Sequence, residues 1–162
     1  MPLLAIRVVV SDSGPLIALG RLDRLDLLAG LFEEVQVPQA VLAECVARPE
    51  FLDAQRIQAA VTRGLLQVCA AQPIHVDGLG AGERAAIGRA TEIGAALLAD
   101  DRAARQYAYG LGLTVIGTLG VLVRAKRANL VSEVRPIIEQ LCAGGHRLSS
   151  AAVDDALAAA GE

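Results

Sequence analysis

Apolar residues follow two rhythms along this chain, and the rhythms alternate. Val8, Val9 and Val10 are consecutive and β-branched, as are the residues at the centre of LTVIGT further on. Such runs stiffen an extended backbone and read as strands buried on both faces. Between them the apolar positions recur at three or four residues, the helical spacing. The pattern predicts an opening strand ending at Asp12, a short helix over Pro15–Leu19 and an amphipathic helix over Arg21–Leu31 with Leu22, Leu25, Leu28 and Leu31 on one stripe. A strand over Glu33–Val37 comes next, then a helix from Pro38 through Val46, a helix over Glu50–Arg63 and a strand over Leu65–Ala70. An irregular segment with Pro73, Gly78, Gly80 and Gly82 leads into a helix over Ala81–Ile93, closed by Gly94, and a buried strand over Ala95–Ala99. A helix over Arg102–Tyr109, a strand over Leu113–Gly117 and helices over Leu119–Ala128 and Ser132–Leu141 follow, and Ser149 or Ser150 caps a last alanine-rich helix.

Strands alternating with helices imply crossover connections, a parallel sheet and helices on both of its faces. The expected architecture is a three-layer α/β/α domain around a central parallel sheet of about five strands. No repeat or interdomain linker interrupts it. The 162 residues are therefore read as one domain, with a core over 1–148 and a C-terminal helix over 149–162.

Composition narrows the picture. Hydrophobic residues make up 54% of the chain but aromatic ones only 2%, so Leu, Val, Ile and Ala must fill the core. The net charge of −3 gives no global attraction to nucleic acid, and any such binding needs a local patch. Cys45, Cys69 and Cys142 lie far apart in apolar segments, which predicts buried thiols in a reducing cytoplasm and no disulfide or zinc site. Arg7 and Asp12 break the N-terminal apolar run, against a signal peptide. Gln106–Val123 is uncharged for 18 residues, just spanning length, but its four glycines and β-branched centre favour turns and a strand over a membrane helix.

Acids fall where chemistry would want them. In an open α/β sheet, ligands bind outside the C-terminal ends of the strands, at the point where strand order reverses. Asp12 ends the first strand, and Asp100 with Asp101 ends the fourth. Glu44 lies beside the apolar Val41 and Cys45 on one helix, and Glu83 shares a face with Ile87 and Ala90 on another. A helix cap would explain Asp12 alone, and a favourable first-turn charge would explain Glu83 alone. If strands one and four are neighbours, however, their acids converge. Crowded carboxylates repel one another, and Mg²⁺ or Mn²⁺, which takes hard oxygen ligands, relieves that repulsion. Such an ion can activate water and stabilise the charge that develops in phosphodiester cleavage.

These residues carry a resemblance. SDSGPLIAL, the helical Glu44, the GERAAI segment and LLADDRAAR, taken in order over about Val8 to Leu148, resemble the acidic framework of the PIN-domain nucleases. GER before the last active-site strand, with GLTVIGTLGVLVRAK after DDR, is similar to the VapC-like branch of that family. The resemblance implies RNA hydrolysis dependent on Mg²⁺ or Mn²⁺, and for many members a toxin held by a small antitoxin protein, often as a homodimer. It places the catalytic acids at Asp12, Glu44, Glu83 and Asp101, with Asp12, Asp100, Asp101 and Glu83 as metal ligands. Many members have Asp where this chain has Glu83, one methylene longer. Ser13 matches the small hydroxyl residue after the first acid, and Thr118, after the fifth strand, lies near enough to that edge to bond a metal's water.

Arg84, Arg89, Arg102 and Arg105 flank the acids, and Arg84, Arg102 and Arg105 are taken as RNA-binding; Arg124, Lys126 and Arg127 form a second basic cluster. His75 and His146 lie in loop-like segments without a partner His or Cys and are not taken as ligands. Other site types fit poorly. An aspartyl phosphatase wants a second Asp where Gly14 stands, a receiver domain wants Lys after the fifth strand, and a dinucleotide fold wants GxGxxG after the first. The alternative left standing is a PIN-like module that binds RNA or protein without cutting.

Overall fold

The structure, a computed structural model, describes residues 5–162. Its centre is a five-stranded sheet formed by β1 (Val8–Ser11), β2 (Glu34–Pro38), β3 (Gln67–Cys69), β4 (Ala96–Leu98) and β5 (Val115–Ile116), in the order β3-β2-β1-β4-β5. Every pairing is parallel; Val9 faces Val35 on one side and Ala96 on the other, and Leu98 faces Ile116. Successive residues of a strand point to opposite faces. Val9 and Val10 are both fully buried, so both faces of β1 are covered. That is the three-layer α/β/α arrangement, and it explains why the central strand is a run of valines and not an alternation.

The helices are α1 (Ser13–Arg21), α2 (Asp26–Leu31), α3 (Gln39–Cys45), α4 (Leu52–Thr62), α5 (Ala81–Ile93), α6 (Arg102–Gly110), α7 (Thr118–Arg127), α8 (Arg135–Ala143) and α9 (Ser150–Ala160). α1 packs against α3 and α4, and α7 against α2 and α9. The core is aliphatic as composition requires, with Phe32 the aromatic exception.

Several boundaries depart from the periodicity. The helix expected over Arg21–Leu31 is broken: α1 runs on to Arg21, Asp23 takes a left-handed φ of 55°, and α2 begins at Asp26. The leucine stripe survives the break because Leu25 and Leu28 still point into the core. Those leucines, like Val121 and Leu122 of α7, are buried within the chain. Exposed large apolar side chains lie elsewhere, at Phe51 and Leu52 before and at the start of α4 and at Tyr107, Tyr109 and Leu111 at the end of α6. β3 is shorter than expected and only half buried, an edge strand. The uncharged stretch 106–123 divides into the end of α6, a turn, β5 and the start of α7, and among the described residues no helix is long and apolar enough to cross a membrane. The thiols also differ from expectation: Cys45 is buried, Cys69 half-buried and Cys142 exposed, all three free.

Candidate active site

From β1 the chain moves outward through β2 to β3 on one side, then returns to the other side of β1 for β4 and β5. Strand order thus reverses between β1 and β4, and the connections leaving their C-terminal ends diverge around a crevice. β1 delivers Asp12 to it and β4 delivers Asp100 and Asp101. The Asp12 N–H donates to the Leu98 carbonyl at 2.9 Å, so the two strands stay paired up to the acid itself.

Asp12 occupies the N-cap position of α1 with an extended backbone, but its carboxylate makes no capping bond. It is 4% exposed, and its Oδ1 is buried without a hydrogen-bond partner. Burial pushes this carboxyl up to about 7; the Ser13 backbone N–H pulls it partly back, and the charges of Glu83, Glu44 and Asp101 raise it again. The same causes act next door, where burial first and then Asp12 and Glu44 push the Cys45 thiol up to about 12, leaving it an inert core residue. The cap explanation for Asp12 therefore fails, and the acids gathered from β1, α3, α5 and β4 are close enough to act on one another.

The other acids are each held by backbone. Glu44, near the exposed end of α3, accepts from the Gly82 N–H at 2.9 Å, tying α3 to the first turn of α5. A Cβ on Gly82 would stand 2.7 Å from both Glu44 oxygens, so this position admits no side chain while Glu44 stays where it is. Glu83 reaches back to the Gly80 N–H at 2.8 Å, the helix-start role, while its charge still raises Asp12. Both carboxylates sit at the partly positive end of a thirteen-residue helix. Asp101, exposed, caps α6 through the Ala104 N–H at 2.9 Å. Asp12 and Asp101 thus hold the same place in two strand-to-helix turns and use it differently: one carboxylate closes a helix, the other is left free.

Asp100 is engaged on both oxygens. Oδ1 accepts from the Thr118 N–H at 2.7 Å and Oδ2 from the Thr118 hydroxyl at 2.6 Å, with His146 Nε2 at 3.7 Å from Oδ2. Thr118 is fully buried and spends both of its donors on Asp100, pinning the end of β4 to the start of α7. Ser13 is half-buried, and its role at Asp12 is carried by its backbone. Arg84 lies half-buried beside a hollow of about 240 Å³ near Pro38 and Ala71, its Nε without a partner. Arg89 is spent on Gln36 and Glu92, and Lys126 on Glu162.

Among the described residues, no three His, Cys, Asp or Glu side chains lie close enough together to close on a metal ion. The donor chemistry nevertheless suits a hard divalent cation: every candidate atom is a carboxylate oxygen, and one of them, Asp12 Oδ1, is buried and unpartnered.

A parallel sheet with carboxylates at its switch point defines an α/β protein with an acidic crevice. The sequence matches the family model DUF3368, described as a PIN domain, over residues 8–162, and the chain belongs to the PIN-domain family, which includes nucleases. A PilT N-terminus domain protein from the hyperthermophilic archaeon Sulfolobus solfataricus P2 has a similar fold: 23% identity, TM-score 0.55, covering 70% of this chain and 89% of that one. No match was found among curated protein sequences.

Some contributors carry no sequence signal of their own. Gly82 reads as part of a glycine-rich approach to a helix, and its closeness to Glu44 appears only in space. Gly117 is similar: a Cβ there would collide with the Arg105 guanidinium and stand 3.1 Å from Asp100 Oδ1. His146, read as an isolated loop residue, arrives beside Asp100 through the packing of the C-terminal segment.

Proposed function

We propose that this protein is a metal-dependent ribonuclease that hydrolyses phosphodiester bonds in single-stranded RNA. The observation that carries the reading is Asp12: a buried carboxylate at the switch point whose Oδ1 has no partner, raised to about 7 among three other acids. Such a group is unfavourable as an anion unless a cation compensates it. Asp12, with Asp101 and Glu83, would hold Mg²⁺ or Mn²⁺, and Glu44 would complete the acidic shell. When bound, the ion supplies Lewis-acid polarisation of the phosphate and lowers the proton affinity of water. The chain's own residues do the positioning. Gly82 orients Glu44, Thr118 fixes Asp100 at the crevice wall, and the Ser13 N–H steadies Asp12. In the hydrolysis, water's oxygen bonds to phosphorus, the P–O bond to the leaving ribose oxygen breaks, and that oxygen takes a proton.

The biological setting follows the family: a cytoplasmic homodimer acting as the toxin of a toxin–antitoxin pair, with a small antitoxin protein as partner. A second reading, a PIN-like module that binds RNA or protein without cutting, is favoured by one feature, the backbone N–H bonds that occupy Glu44, Glu83 and Asp101. One assay separates the two. Purified protein with Mn²⁺ or Mg²⁺ should cut single-stranded RNA, chelator should stop it, and Asp12→Asn should lower the rate by about a hundredfold or more, as expected for loss of a ligand. No metal-dependent cut on a panel of RNAs, or cutting that survives Asp12→Asn, leaves the binding module.

A further inference from the structure

We propose that the groove bounded by β5, α7 and α9 holds the phosphate backbone of single-stranded RNA as it leaves the acidic crevice, a deepening that rests on the nuclease reading. The groove has a volume of about 740 Å³ and begins at the crevice, since Asp100 and Thr118 form part of its wall. Arg102 and Arg105 from α6, Arg124 and Arg127 from α7, and His146 and Arg147 from the loop before α9 line it. Two acids share the walls: Asp100, both of whose oxygens are held by Thr118, and Asp155.

Their gathering around one hollow sets these arginines apart. Outside the groove, Arg7 pairs with Glu33, Arg56 with Asp23, Arg89 with Glu92 and Lys126 with Glu162, while Arg21, Arg24, Arg48, Arg63 and Arg84 pair with no carboxylate among the described residues. Among the described residues none of the five groove arginines pairs with a carboxylate, although the protein carries a net charge of −3. Five guanidinium groups against two wall acids, neither of them in a salt bridge with an arginine, fit an anionic ligand with repeated charges. Arg105 and Arg127 are also pre-oriented, Arg105 by the Ala99 carbonyl and Tyr109 hydroxyl, Arg127 by the Ala159 carbonyl. Each keeps donors free for a phosphate. Gly117 permits this, because any side chain there would displace Arg105. A strand cut at the crevice must run its flanking phosphates outward, and this is the basic channel that opens from it.

The test is binding of a fluorescein-labelled oligouridylate in EDTA, followed by anisotropy over a range of salt, so that nothing is cut. Arg124→Ala and Arg147→Ala combine two arginines that make no hydrogen bond among the described residues, which keeps the fold intact. For single strands the slope of log K against log salt changes by about 0.7 per phosphate neutralised, so the double variant should lose about 1.4 and bind more weakly at low salt. Arg63→Ala, on a separate hollow at the end of α4, should behave as wild type. Failure of the oligonucleotide to bind, an unchanged slope in the double variant, or an equal loss in Arg63→Ala overturns the proposal. So does tighter binding of polyglutamate than of RNA, which would assign the groove to an acidic protein partner. Binding as expected without metal-dependent cutting sinks the nuclease reading and leaves the groove; cutting with an unchanged slope does the reverse.

Discussion

Removing the charge of Asp12 should make the metal-free protein more stable at alkaline pH. In the folded protein this carboxyl lies at about 7, against about 4 in an unfolded chain. Between those values the folded state holds a proton that the unfolded state has released, so stability falls as pH rises from about 4 through about 7. Three units at 1.36 kcal/mol each give a full cost of about 4 kcal/mol. About 3 kcal/mol of it should develop between about pH 5 and pH 8, because the unfolded group is already largely ionised at the lower value. Asparagine keeps the size and removes the titration, at a pH-independent cost of about 1–3 kcal/mol for its unpaired donors. The decisive quantity is therefore a double difference. Urea unfolding of wild type and Asp12→Asn at both pH values should show the variant gaining about 3 kcal/mol on wild type over that range. Groups common to both proteins cancel. Saturating Mn²⁺ at the higher pH should raise wild-type stability and leave Asp12→Asn unmoved. Parallel pH curves for the two proteins would refute the reasoning, because Asp12 would then already be ionised at about pH 5 and its burial compensated by something other than a cation.

Other outcomes test the supporting contacts. Gly82→Ala pushes a methyl group against the Glu44 carboxylate, whose flexible side chain must swing away, and should reduce RNA cleavage while thermal unfolding changes by no more than about 1 kcal/mol. Thr118→Val removes the hydroxyl donor from half-buried Asp100 and should destabilise by about 1–3 kcal/mol, whereas Thr118→Ser should restore most of the loss. Glu162 accepts from the Val134 and Arg135 backbone and pairs with Lys126, and the Val134 N–H above all holds its carboxyl down at about 2. Its contribution is present above the ordinary carboxylate range and lost as pH falls through about 2, so the melting difference between wild type and Glu162→Gln should shrink over that acid range and be constant near neutrality.

Much of the architecture was legible in one dimension because local patterns encode it. The valine run of β1 predicts a strand covered on both faces, the alternation of strands and helices predicts a parallel sheet, and Asp12 and Asp101 fall at strand ends by position alone. The break at Asp23 was not legible, since Leu25 and Leu28 keep a helical spacing through a left-handed residue that is neither Gly nor Asn. Periodicity records which face is buried, and both sides of that break bury the same face. The leucine stripes also say nothing about what covers them; for Leu25 and Leu28 the chain's own core does. At the site, sequence supplied the acids and only the tertiary structure decided their states. Strand order brings Asp12 beside Asp101, packing of α3 on α5 sets Glu44 against Gly82, and burial raises Asp12. Asp100 and Asp101 are neighbours of one type in the chain, yet Thr118 occupies the first and α6 takes the second as its cap. Hydrogen-bond partners, desolvation and the gathering of arginines from α6, α7 and the loop before α9 depend on distances between segments far apart in sequence, and no local pattern carries that information.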